Sequence, residues 1–168
     1  MKQLLCCLLL LVLSCKSYAL KPEDLLPPDQ AFQFSAEVID ENLVQLTWDI
    51  AEGYYLYRER FNVSTETAGI QLNADDFRFP KGDLKNDPNF GELEVYHDQV
   101  AIEIPLERAQ QGLQAIELQL QAKYQGCADA GLCYPPQRKT ASLQLAALDN
   151  PDNKVAASET SPPATPDD

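Results

Sequence analysis

The chain has 168 residues, with 13 basic and 26 acidic side chains and a formal net charge of −13. That length holds one domain with tails and excludes a multi-domain enzyme, while 45% hydrophobic residues supply a core and exclude whole-chain disorder. No basic patch offsets the acidic balance, which excludes nucleic-acid binding, and no second apolar segment follows the N-terminal one, so the body does not cross a membrane.

The first predicted element is an export signal. Lys2 precedes an apolar run over residues 4–13, and polar residues 14–18 follow. The run is too short to span a bilayer and has signal-peptide length and polarity. Small residues at Ser17 and Ala19 fit cleavage after Ala19, making residues 1–19 the signal. Val12-Leu13-Ser14-Cys15 also resembles a bacterial lipoprotein box, in which Cys15 is lipidated and retained, and both readings stand. Cleavage after Ala19 leaves 11 basic and 26 acidic residues, a net charge of −15, and removes Cys6, Cys7 and Cys15. Cys127 and Cys133 remain, in an oxidising compartment where a disulfide persists.

Residues 20–27 form a Pro-containing lead-in to a domain over 28–148. Residues 32–38 alternate apolar and polar, as do 44–50, where Val44, Leu46, Trp48 and Ile50 share one face. Period two is the signature of a half-buried strand. Glu52-Gly53 predicts a turn, Tyr54-Tyr55-Leu56-Tyr57 an aromatic strand, and residues 61–64 another strand. Pro80, Gly82, Pro88 and Gly91 mark residues 73–91 as loop. Residues 100–104 alternate until Pro105, residues 106–111 suggest one short helical turn, residues 116–124 form a long strand, and Ala141, Leu143 and Leu145 mark the last. Short strands between turn residues, without long crossover helices, predict an all-β sandwich of two packed sheets. Residues 149–168 carry Pro151, Pro162, Pro163 and Pro166 among small and acidic residues and read as a solvated, disordered tail or linker.

The chemistry concentrates in Tyr124-Gln125-Gly126-Cys127-Ala128-Asp129-Ala130-Gly131-Leu132-Cys133-Tyr134-Pro135-Pro136. Gly131 tolerates left-handed backbone angles, so this segment can reverse and bring its cysteines to the Cα separation of a disulfide, about 4.4–6.8 Å. Closing so short a loop stabilises by roughly 2 kcal/mol in the chain-entropy model. A cross-link placed for stability does better between distant strands, so the position leans toward a reactive disulfide; a turn-stapling disulfide remains the other reading. No metal site is expected, because the exported body offers two cysteines and one histidine against the four ligands zinc usually takes. His97 reads as a surface or strand-end residue, and Asn62-Val63-Ser64 matches a glycosylation sequon inside a strand. Scattered carboxylates read as a solvated surface. An exported binding or adhesion sandwich with a purely structural disulfide is the rival to redox chemistry.

These residues also resemble a known family, the N-terminal periplasmic domain of the bacterial thiol:disulfide interchange protein DsbD, a protein-disulfide reductase. The resemblance covers residues 28–145. It rests on Pro28-Asp29-Gln30-Ala31-Phe32, Leu46-Thr47-Trp48, Gly53-Tyr54-Tyr55-Leu56-Tyr57-Arg58, Tyr124-Gln125-Gly126-Cys127-Ala128-Asp129-Ala130-Gly131 and Cys133-Tyr134-Pro135-Pro136, in that order. It implies an immunoglobulin-like β-sandwich in the periplasm, with Cys127 and Cys133 as a reversible catalytic pair in an active-site hairpin and no cofactor. Electrons would come from a thioredoxin-like domain and pass to periplasmic thioredoxin-like proteins, including the disulfide isomerase and cytochrome c maturation proteins. Cys133 would carry the mixed disulfide, and Cys127 would resolve it. Tyr55 and Tyr57 match the aromatics beside the pair.

The family's cap loop reads Asp-Glu-Phe-Tyr-Gly, and here the aligned run is Asp87-Pro88-Asn89-Phe90-Gly91. Asn89 stands where the capping phenylalanine belongs, so either Phe90 shields the disulfide or the disulfide is less covered. A carboxylate at Asp87 or Asp129 would disfavour a thiolate and hold Cys133 unreactive until a partner docks; Asp129 reads equally as a turn former. Membrane tethering is expected through segments beyond the tail or through a lipidated Cys15, the alternative being a separate polypeptide.

Overall fold

The computed structural model describes residues 25–87, 91–109 and 114–148. Among them the elements run α1 (Pro28–Ala31), β1 (Phe32–Asp40), β2 (Leu43–Ile50), β3 (Tyr54–Tyr57), β4 (Asn62–Thr65), β5 (Ile70–Gln71), β6 (Asp83–Asp87), β7 (Gly91–Tyr96), β8 (Gln99–Pro105), β9 (Glu107–Arg108), β10 (Ile116–Tyr124), β11 (Gly126–Ala128) and β12 (Gln137–Leu145). The expected all-β architecture holds, and the signal, the Cys15 box and the tail lie outside the described residues. Every strand pairing is antiparallel. The sheets are β1-β2-β8, β12-β10-β4, β11-β3-β7-β6 and the small pair β5-β9.

Alternation decides the core. Val44, Leu46, Trp48 and Ile50 on β2 are buried, as are Val100, Ile102 and Ile104 on β8, and Leu118, Leu120, Ala122 and Tyr124 on β10. Their apolar faces meet around Trp48, whose ring lies 4.9 Å from both Phe34 and Phe61 and 5.5 Å from Tyr124, centroid to centroid. The packed body extends N-terminal to Pro28. Leu25 packs against the core, the Leu26 amide donates to Tyr54 Oη at 2.9 Å, and Tyr134 Oη donates to the Leu26 carbonyl at 2.5 Å.

Two expectations are corrected. Residues 73–91 are not simply loop, because β6 and the start of β7 lie there and pair over Asp83↔Val95, Lys85↔Leu93 and Asp87↔Gly91. β6 is an edge strand rich in charge, with Leu84 at 73% exposure, so it lacks the apolar alternation of a half-buried strand; backbone pairing overrides its composition. The start of the expected helical turn at 106–111 is instead β9, paired with β5. Leu106 is buried, and Arg108 donates to the carbonyls of Glu41, Gln114 and Ala146 at 3.2, 3.0 and 2.8 Å. Those distant acceptors favour extended backbone over a local turn; residues 110–111 lie outside the described residues.

β3 is buried on both faces. Tyr54 and Leu56 enter the main core, while Tyr55 and Tyr57 form a second cluster with Val95 and Cys127. The four-stranded sheet therefore has one face on the sandwich interior and carries a small apolar site on the other.

Candidate functional site

Register assembles this site. Tyr55 lies opposite Cys127, Tyr57 opposite Val95, Val95 opposite Asp83, and Leu93 opposite Lys85. Directly opposed residues share a face, as do positions two apart on one strand. Cys127, Tyr55, Tyr57, Lys85 and Asp87 thus stand on one face, with His97 continuing the Leu93–Val95 row.

Cys127 and Cys133 are bonded, with Sγ atoms 1.97 Å apart. Beyond β11 the chain reverses through Ala128-Asp129-Ala130-Gly131, where the Gly131 amide donates to the Ala128 carbonyl at 2.9 Å. Gly131 has φ +87°, as predicted, which fits a three-residue hairpin loop ending in a left-handed residue. The Ala128 amide donates to Leu132 and the Tyr134 amide to Gly126, at 2.8 and 3.0 Å. The two cysteines face each other between these bonds, in the non-hydrogen-bonded register that brings side chains closest, and their Cα atoms are 3.9 Å apart. Tyr134 pins the returning arm: its ring packs edge-on to Phe32 at 5.5 Å, and burial pushes its hydroxyl up to about 12.

Gly126 is required by close approach. A Cβ there would lie 2.5 Å from the Tyr55 carbonyl oxygen, 2.5 Å from Phe32 Cζ and 2.7 Å from Leu56 Cδ2. The carbonyl belongs to the strand paired with β11, so it cannot retreat without opening the ladder. Gly126→Ala is expected to cost about 1–3 kcal/mol by overpacking. Urea unfolding of the oxidised protein measures this, and an unchanged midpoint would remove the close-packing account.

The two sulfurs differ in access. Cys127 has 0% exposure, whereas Cys133 is exposed. Tyr57 Oη lies 3.4 Å from Cys127 Sγ and 3.9 Å from Cys133 Sγ. Its proton is donated to Asp87 Oδ2 at 2.6 Å, so Tyr55 Oη, 3.3 Å away, donates to Tyr57. Burial first, and then the bond to Asp87, keep the Tyr57 hydroxyl protonated well above the ordinary tyrosine range. Asp87 is itself buried, at 4% exposure.

Asp129 points outward and meets Lys85, whose Nζ donates to its Oδ1 at 2.8 Å. That bond holds the Asp129 carboxyl below its ordinary value, against some desolvation and with help from His97. A depressed carboxylate contributes stability above its unfolded pKa and loses it as pH falls through the folded one. Lys85 Nζ also sits 4.2 Å from the Tyr55 ring centroid. His97 Nε2 is 3.8 Å from Asp129 Oδ1, and its Nδ1 is 3.7 Å from Asp83 Oδ2.

Residues 22–145 match the family described as thiol:disulfide interchange protein DsbD, N-terminal. The chain belongs to that family. DsbD of Escherichia coli (strain K12) is 38% identical over 124 residues, covering 74% of this chain and 20% of that protein. DsbD of Shigella boydii serotype 4 (strain Sb227) is 39% identical over 124 residues, with the same coverage of 74% and 20%. The chain thus spans about a fifth of the length of the curated DsbD relatives it matches. The Neisseria meningitidis DsbD N-terminal domain in the reduced form is 32% identical, with a TM-score of 0.64 over 74% of this chain and 94% of that one. A complex between the DsbD and PilB N-terminal domains from Neisseria meningitidis matches at 34% identity and a TM-score of 0.58, over 71% of this chain and 87% of that one. The sandwich is therefore the immunoglobulin-like fold of DsbD N-terminal domains.

Of the residues expected at a DsbD-type site, Cys127, Cys133, Tyr55, Tyr57 and Asp87 come together around the disulfide. Asp129 lies at the cleft mouth, both in the turn and in an ion pair. Asn89 and Phe90 lie outside the described residues. Lys85 and His97 were missed as site residues. Glu92-Leu93-Glu94-Val95-Tyr96 does alternate, and that signal could have placed His97 on the row with Val95.

Proposed function

We propose that this domain is a periplasmic thiol–disulfide relay that cycles the Cys127–Cys133 bond with thioredoxin-like proteins. One observation carries the reading: Cys133 is an exposed residue that lines a surface cleft, while its partner Cys127 is shut inside an apolar cluster. A donor thiolate attacks Cys133 Sγ, forming the mixed disulfide, and the electron pair of the broken bond leaves on Cys127 Sγ. Tyr57 supports that leaving group by turning its O–H from Asp87 to the sulfur 3.4 Å away. The donor's second thiolate then attacks its own sulfur in the mixed disulfide, leaving a dithiol here and a disulfide on the donor. In the forward transfer the Cys133 thiolate attacks an acceptor disulfide, and Cys127 resolves the product.

The donor class, the acceptors (a disulfide isomerase and cytochrome c maturation proteins) and an exchange domain within 28–148 are supported by family resemblance; at the cap, Asn89 departs from the family's phenylalanine, so either Phe90 shields the disulfide or the disulfide is less covered. The Neisseria meningitidis complex with a PilB domain is support for partner docking in a relative. The test mixes the oxidised domain with a reduced thioredoxin-like protein, quenches with acid and follows circular dichroism. Rapid electron exchange with the fold intact in both states is expected. A disulfide that resists reduction, or whose loss unfolds the domain, would instead make it a structural cross-link in an exported binding module.

A further inference from the structure

We propose that Lys85 is a positioning residue for exchange, its ammonium offsetting the acidic mouth of the Cys133 cleft so that an anionic thiolate can reach the sulfur. The inference rests on the exchange reading above. Cys133 opens into a cleft of about 230 Å³ that Asp87 and Asp129 also line, and Lys85 is the one cation lining it among the described residues. The attacking group is negative, and the chain carries a net charge of −13. Both the overall field and the two nearby carboxylates oppose its approach.

The lysine is built into its place. It lies on edge strand β6 and reaches across β7 to the Tyr55 ring on β3 and to Asp129 beyond β11. Its side chain is only 32% exposed, so its charge is less screened than that of a free surface lysine. Asp129 holds the ammonium at the mouth, and the ring face holds it over the cleft. As RS⁻ attacks, an RS–Sγ bond forms at Cys133, the bond to Cys127 breaks, and negative charge spreads over three sulfurs beside this cation. His97 lies between Asp83 and Asp129, with Nε2 3.8 Å from the carboxylate oxygen that accepts from Lys85.

The experiment measures opening of the disulfide by thioglycolate, 2-mercaptoethanol and cysteamine, corrected for thiolate fraction. These thiolates carry net charges of about −2, −1 and 0 at neutral pH. Lys85→Met should slow thioglycolate at least about threefold more than cysteamine, the scale of one partly screened charge. High salt should shrink the difference, Lys85→Arg should restore it, and Asp129→Asn should shift the ratio the other way. Equal slowing of all three thiols would make Lys85 a purely structural strap and overturn the proposal, as would unchanged ratios in Lys85→Met and Asp129→Asn. These ratios report on Lys85 alone. The relay reading fails separately, if wild-type protein exchanges with small thiols but with no thioredoxin-like protein.

Discussion

Cys133→Ala is expected to abolish exchange with thioredoxin-like proteins, whereas Cys127→Ala is expected to accumulate mixed disulfides through Cys133. The asymmetry follows from access. The reacting sulfur must accept in-line attack by a thiolate carried on another protein, and of the bonded pair Cys133 is the exposed residue. In Cys133→Ala the remaining thiol sits at 0% exposure among Tyr55, Tyr57 and Val95, where a partner's active site cannot follow. Exchange should fall to the uncatalysed background. In Cys127→Ala attack still occurs, but no internal thiol releases the partner, so the intermediate persists on non-reducing gels. Equal trapping by both variants would end the division of labour between the two sulfurs, and trapping through Cys127 alone would reverse it.

Phe32→Ala should cost about 3–5 kcal/mol, the range for truncating a buried aromatic. Phe32 has 0% exposure and stands edge-on to Tyr54, Tyr124 and Tyr134, at 6.0, 6.1 and 5.5 Å. It also fills the space over Gly126. The substitution therefore opens a cavity where the lead-in, the main core and the cysteine hairpin meet. Denaturant unfolding measures the loss, and a cost below about 1 kcal/mol would mean the neighbours collapse into the gap. Combining it with Gly126→Ala should give coupling, because the new methyl occupies part of the vacated space. Relief should be partial, since the Tyr55 carbonyl still stands 2.5 Å from the added carbon.

Long alternating runs were legible because their period is a local property. Residues 44–50 and 116–124 each write a buried face that no tertiary context overrides. The cysteine hairpin was legible for the same reason, since Gly131 and the short spacing act within one turn. β6 was not. Its residues Asp83, Leu84, Lys85, Asn86 and Asp87 form a strand only because β7 pairs with them, and the loop residues Pro80 and Gly82 just before it hide where the strand begins. Lys85 could not be placed at the site for a further reason: it meets Asp129 across a sequence separation of 44, a proximity that no local pattern encodes. Sequence alone therefore shows the Asp129 carboxylate without the cation that opposes it.

The placement of the disulfide between two backbone hydrogen bonds has a consequence for how the domain is read by others. Cutting the sulfur bridge breaks neither the 126–134 nor the 128–132 contact, so both oxidation states can present nearly the same outline. The reduced Neisseria meningitidis domain keeps a matching fold. A visitor that tells full from empty has little change of shape to recognise; the message is confined to the electron count of two atoms, and only a protein that brings a sulfur of its own can receive it.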